Sequence, residues 1–245
     1  MKYTADGIIT FAPTSKLRLS SGLNFISPSE ANITLLSESD DKLSVSIKLQ
    51  AEEDNTAKEL AQLELSRICD ILSFFHNTPI VESRVTGIKY QKLIPQGKHI
   101  VVGEAMVGID AILSLVKILD EKSLEGLNSD LGREYNPEFR EVIYIWRETL
   151  RSESATEQFY SLYRLMEKLF GNSKKMDEWI RQDQKVQLIR ANRFRKYEHT
   201  IYTFLRDNIH YKPERKTLPI KEIQENLSSF QSLVQQAIKE KFGIQ

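Results

Sequence analysis

The stretch "FLRDNIHYKP" (Phe204–Pro213) sets Arg206, Asp207 and His210 among aromatic and aliphatic residues, and a proline closes it. Arginine is a permanent cation whose planar fork suits phosphate and carboxylate oxygens. Histidine takes up and releases a proton near neutral pH. Residues i and i+4 of a helix lie about 40° apart around its axis, so a helix here brings Arg206 and His210 onto one face. Such a pair can hold an anion and move a proton. The same residues also suit an ordinary helix end, where Arg and His satisfy the last carbonyls and favour the negative pole of the dipole.

The segment leading into this stretch is basic and aromatic. From Lys185 to Lys216 there are nine Lys/Arg against three Asp/Glu, a local charge of +6 in a chain whose net charge is zero. Arg190, Arg193, Arg195 and Lys196 cluster, with Phe194, Tyr197, Tyr202, Phe204 and Tyr211 interleaved. Cations hold phosphates and aromatic faces stack on unpaired bases, so this composition suits single-stranded nucleic acid. It equally suits a bundle helix with core aromatics and basic side chains reaching out to water.

Other chemistries find no footing. The chain has no G-x-x-x-x-G-K-[ST] or G-x-G-x-x-G loop, no H-E-x-x-H and no G-x-S-x-G elbow. His76 and His99 stand apart from other metal-ligating residues. The single cysteine, Cys69, excludes an intramolecular disulfide framework and reads as a buried thiol on an apolar helix face. The start, "MKYTADGIITF", lacks the apolar core of a signal peptide, and no apolar run approaches the ~18 residues that span a bilayer. The expectation is a soluble, cytoplasmic protein with no membrane partner.

The elements that position these residues follow from hydrophobic period. Lys42–Gln50 alternates Leu43, Val45, Ile47 and Leu49 with polar residues, a half-buried strand. From Asp54 the period becomes helical through Leu60, Ala61, Leu65, Ile68, Leu72 and Phe75, with Asp54, Asn55 or Thr56 as the cap. "RVTGIKYQKLI" and "KHIVVGE" read as strands joined by a turn at Pro95–Gly97, and "AMVGIDAILSLVKILDE" as a helix. A break rich in Gly, Asn and Pro follows from Glu125 to Phe139. Beyond it everything reads as helix. Pro137 opens one, with Phe139, Val142, Ile143, Trp146 and Leu150 on its face. Ser154 and Glu157 have capping-box spacing before a helix that Gly171 closes. "KKMDEWIRQDQKVQLI" reads as a weaker helix, "EHTIYTFLRDNIHY" as a helix ending by Pro213, and "PIKEIQENLSSFQSLVQQAIKEKFG" as the last, with one apolar stripe from Ile220 to Ile238. The predicted fold class is α+β: a mixed strand/helix module over residues 1–130, then an all-α bundle over 137–245.

This C-terminal half resembles the HEPN superfamily, helical bundles with an Arg-polar-x(n)-His signature near the start of a late helix. The match is "YTFLRDNIHY", followed by "PIKEIQENLSSFQSLVQQAIKEKF" as the last helix and preceded by "FYSLYRLMEKLF" as the first. "ICDILSFFHNTPIVESRVTG" is similar to the N-terminal module of Apea-like HEPN proteins. The three residues between Arg206 and His210 make a shorter spacing than the family's usual one; Arg193 and His199 lie farther apart and form a fallback pair. The resemblance implies a metal-independent endoribonuclease without cofactors, acting on single-stranded RNA in a toxin or phage-defence setting. It implies Arg206 as phosphate holder, His210 as acid or base, and Asp207 orienting a phosphate oxygen or capping an amide. It also implies a homodimer that brings two such sites together, and a regulatory protein partner. Because family members also serve as non-cutting dimerisation and binding modules, a module that scaffolds a protein or nucleotide partner stands as the alternative beside the nuclease.

Overall fold

The computed structural model describes residues 2–12, 16–91, 116–182, 188–189, 197–211 and 220–244. Its first strand, β1 (Lys2–Phe11), buries every second residue: Tyr3, Ala5, Gly7, Ile9 and Phe11. It is flanked by β5 (Lys42–Gln50) and β6 (Ile80–Gln91), antiparallel to both. With β4 (Asn32–Ser39) and β3 (Leu23–Ile26) they form a five-stranded antiparallel sheet in the order β3-β4-β5-β1-β6. The alternation in β5 has the expected boundaries, and its four apolar residues are buried.

Helix α1 (Asp54–His76) packs on this sheet through Ala57, Ala61, Leu65, Ile68 and Leu72. Contact is close enough that a Cβ at Gly7 would stand 3.1 Å from the Arg84 carbonyl and 3.4 Å from Leu65. Two details differ from expectation. The N-cap is Glu53 and makes no side-chain cap bond, while Asp54 instead accepts from the Tyr3 hydroxyl at 2.9 Å. Leu60 and Phe75 lie at the margin of the apolar stripe, and neither is fully buried.

Val116–Leu119, expected within a helix, is strand β7, paired in parallel with β2 (Lys16–Leu19). Its four residues fit either period, and the pairing with a strand some hundred positions earlier decides. The strand expected at Lys98–Glu104, the turn before it and most of that helix lie outside the described residues. The expected break holds a helix, α2 (Glu121–Gly132), whose N-cap Asp120 accepts from the Ser123 amide at 2.9 Å. Leu124, Leu127 and Leu131 are its buried face.

Helix α3 (Pro137–Arg151) begins where proline predicts, and Asn136 accepts from the Phe139 amide at 2.7 Å. Trp146 donates its indole N–H to the Ser73 carbonyl at 3.2 Å. Phe74 meets Phe139 and Trp146 edge-on, with centroids 5.5 and 5.9 Å apart. Full burial of such side chains contributes roughly 1.5–3 kcal/mol each. These contacts hold most of α3 to the first of two units, Met1–Arg147 and Glu148–Gln245. The boundary therefore falls within α3, later than the break that composition marks.

The second unit is helical. Helix α4 (Ala155–Phe170) is capped by Ser154, which accepts from the Glu157 amide, and is closed by Gly171 at φ 82°, where a residue without Cβ is unstrained. Helix α5 (Ser173–Ile180) is shorter than its segment suggested, because Leu188–Ile189 is strand β8, paired with β9 (His199–Thr200). Helices α6 (Ile201–Tyr211) and α7 (Ile220–Phe242) follow. Phe230 of α7 centres the core: Tyr202 stacks on it at 4.4 Å and Phe159 lies at 5.1 Å. The architecture is thus α+β, a five-stranded antiparallel sheet with its helices and then a helical unit. No helix among the described residues is long and apolar enough to cross a membrane.

Candidate functional site

Helix α6 buries Tyr202 and Leu205, and Tyr202 is the residue that packs on α7. That register carries Thr203 and Arg206 toward α4, where Tyr163 and Glu167, one turn apart, receive them. The Arg206 guanidinium lies over the Tyr163 ring at 4.7 Å. One terminal nitrogen reaches Glu167 Oε1 at 2.9 Å and stands 3.4 Å from the Tyr163 hydroxyl. The other is 3.3 Å from Asp207 Oδ1. Nε is buried and has no acceptor. Burial works against the Arg206 charge, but Tyr163, Glu167 and Asp207 more than offset it, so its pKa lies above the ordinary arginine value. One cation between two carboxylates leaves the cluster anionic by one charge.

Behind it lies a second, deeper group. Asp177 of α5 is 1% exposed. Its Oδ1 accepts from the Thr200 amide (3.3 Å), the Thr200 hydroxyl (2.7 Å) and the Thr203 hydroxyl (2.9 Å). Its Oδ2 is buried with no partner. Burial raises the Asp177 pKa, and the bonds from Thr200 and Thr203 and the charge of His199 only partly counter this. Thr203 also meets the Tyr163 hydroxyl at 2.8 Å, which joins Asp177 to the Arg206 cluster. Burial is the main reason the Tyr163 hydroxyl is pushed up to about 12.

Of the residues singled out from sequence, Arg206 and Asp207 are brought together. Asp207, expected to orient a phosphate or cap an amide, is buried beside the guanidinium as its ion-pair partner. His210 belongs to the last turn of α6, one turn beyond Arg206, and its side chain lies outside the described residues. Arg190, Arg193, Arg195 and Lys196 also lie outside them. His199 of the fallback pair is fully buried in β9, with Nε2 unpartnered.

Tyr163, Glu167, Asp177, Thr200 and Thr203 were not anticipated. Asp177 left a trace, since an acid between Met176 and Ile180 falls on the buried stripe of a short helix. Glu167 left none, because an acid on a helix flank reads as solvated surface.

Chemically, the cluster presents a guanidinium whose side chain is largely buried and whose more exposed partner is Glu167. Both carboxylates beside Arg206 are taken up by it, and among the described residues no three His, Cys, Asp or Glu side chains group closely enough to share a metal ion. Comparison with family models, with curated proteins and with solved structures finds no match to the chain.

Proposed function

We propose that the helical unit is a HEPN-like module that cleaves single-stranded RNA, with Arg206 holding the scissile phosphate and His210 moving a proton. One observation supports this most. Within one turn of α6, Arg206 is fixed by contacts from α4 and by its neighbour Asp207, and the backbone of His210 follows four residues on. A fixed cation and a titratable group four residues on are the two groups that internal transesterification needs. His210 accepts the 2′-hydroxyl proton, the oxygen attacks phosphorus, and the P–O5′ bond breaks. The leaving oxygen takes a proton from an imidazolium, and Arg206 offsets charge growing on the phosphoryl oxygens. In the proposed homodimer that imidazolium is supplied by a second copy of the chain, and the basic segment at Arg190, Arg193, Arg195 and Lys196 steers the strand.

A second reading is a binding module without turnover, and a specific observation favours it: Arg206 is already neutralised by Glu167 and Asp207. Incubation of the purified chain with mixed single-stranded RNA in EDTA separates the two. The nuclease yields products ending in 2′,3′-cyclic phosphate. Arg206→Ala and His210→Ala then each lower the rate by roughly two orders of magnitude or more, with the thermal melt retained. RNA that is bound but never cut leaves the binding module. If RNA is neither bound nor cut, the nuclease falls, and the binding module stands only if Arg206→Ala or His210→Ala loses a protein or nucleotide partner that the wild type holds.

A further inference from the structure

We infer that Asp177 is a positioning residue for Arg206, acting through Thr203 and Tyr163, an inference that rests on the proposed role of Arg206 as phosphate holder. The four side chains form a run of hydrogen bonds whose direction is fixed from both ends. Arginine can only donate, so toward Arg206 the Tyr163 oxygen must accept. At the other end, Asp177 Oδ1 gathers three donors, so the Thr203 proton is committed to it. A proton on Oδ2 would not change this, because that atom is buried without an acceptor and Oδ1 would still be the accepting oxygen. With its own proton spent, the Thr203 oxygen can only accept from Tyr163 at 2.8 Å. The Tyr163 proton therefore points inward, and its lone pair is left for Arg206.

The consequence is orientation. Glu167, the direct partner of Arg206, has a side chain 34% exposed, whereas Tyr163 and Thr203 are fully buried and Asp177 nearly so. When a phosphate replaces Glu167, the stacked Tyr163 ring and its hydroxyl hold the guanidinium from the inner side. A buried carboxylate with one oxygen unpaired is costly to keep. Its three donors on Oδ1 set the rotamers of Thr200 and Thr203, and through Thr203 the hydroxyl of Tyr163.

The test follows the Arg206 guanidinium by NMR in the full chain, reading hydrogen exchange and rotation of its terminal nitrogens. Thr203→Val keeps the shape and removes the hydroxyl; Thr203→Ser restores it; Tyr163→Phe keeps the stacked ring and removes the oxygen. Thr203→Val and Tyr163→Phe are each expected to speed the guanidinium signals by roughly fivefold, the factor one net hydrogen bond is worth, while Thr203→Ser stays near wild type. Unchanged signals in Thr203→Val would overturn the proposal, even if Tyr163→Phe alters them, because the run would then end at Tyr163. If Thr203→Val fails to fold, Thr203→Ala takes its place, and unchanged signals there overturn the proposal equally. The same variants are titrated with a 2′-O-methyl RNA that cannot be cut. Should the guanidinium respond as expected while wild type neither binds nor cuts RNA, the positioning stands and the functional reading of Arg206 fails.

Discussion

Arg206 of α6 and Glu167 of α4 meet at 2.9 Å, and the carboxylate is the more exposed of the two, at 34% against 15%. An incoming phosphate must therefore compete with Glu167 for the guanidinium. Glu167→Gln removes the competing charge and keeps the shape. A pair this open to water is worth roughly 0.2–1 kcal/mol, so RNA affinity at low salt should rise by up to about fivefold. Filter binding measures it. A fall in affinity would mean that Glu167 positions Arg206 rather than competing for it.

In the first unit, Arg147 and Asp70 form a buried pair at 3.2 Å, with side-chain exposures of 9% and 13%. Arg147 also donates to the Ser66 carbonyl at 3.1 Å. Removing Asp70 takes this countercharge from a largely buried guanidinium that keeps its bonds to Ser66. Asp70→Asn should lower unfolding free energy by about 3–5 kcal/mol, read as a drop in the urea midpoint at constant slope. A change within error would show that water reaches Arg147.

Cys69 is fully buried on α1, and burial pushes its thiol up to about 12. The thiolate is the reactive form, so a thiol-specific dye at neutral pH should label the native chain only as fast as it opens. Labelling should become rapid and stoichiometric in denaturant. Rapid labelling of the native chain would place Cys69 at an accessible surface.

What was legible in the sequence divides along physical lines. Strand β5 and helices α3, α4 and α7 announce themselves because their apolar residues keep one period within one window, and caps such as Pro137, Ser154 and Gly171 are local signals. Strand β1 alternates too, but through Ala5 and Gly7, whose small side chains carry little hydrophobic signal. Strand β7 depends on a remote partner that no local window contains. At the site, Arg206 and Asp207 were visible as a charged pair inside an apolar stretch. Their partners were not, because Tyr163 and Glu167 become neighbours of Arg206 only through the packing of α4 and α6.

The last prediction concerns pH. Burial raises the Asp177 pKa above the ordinary 3.8. A carboxyl whose folded pKa exceeds its unfolded one binds its proton more tightly in the native state. Its contribution is fully present below the unfolded pKa, near 3.8, and is lost as pH rises through the folded value. Asp120, whose pKa is lowered by its bonds from Ser123, behaves oppositely, so overall stability does not isolate the effect. The difference between Asp177→Asn and wild type does. Asparagine keeps an oxygen to accept from Thr200 and Thr203, and it has no charge to desolvate. As pH rises from about 4 to 7, the variant should gain stability relative to wild type, read from urea unfolding at three pH values. The gain must appear in the difference and level off once wild-type Asp177 is ionised. A difference that stays flat across this range, or grows as pH falls, would show that Asp177 ionises as readily in the fold as in the unfolded chain.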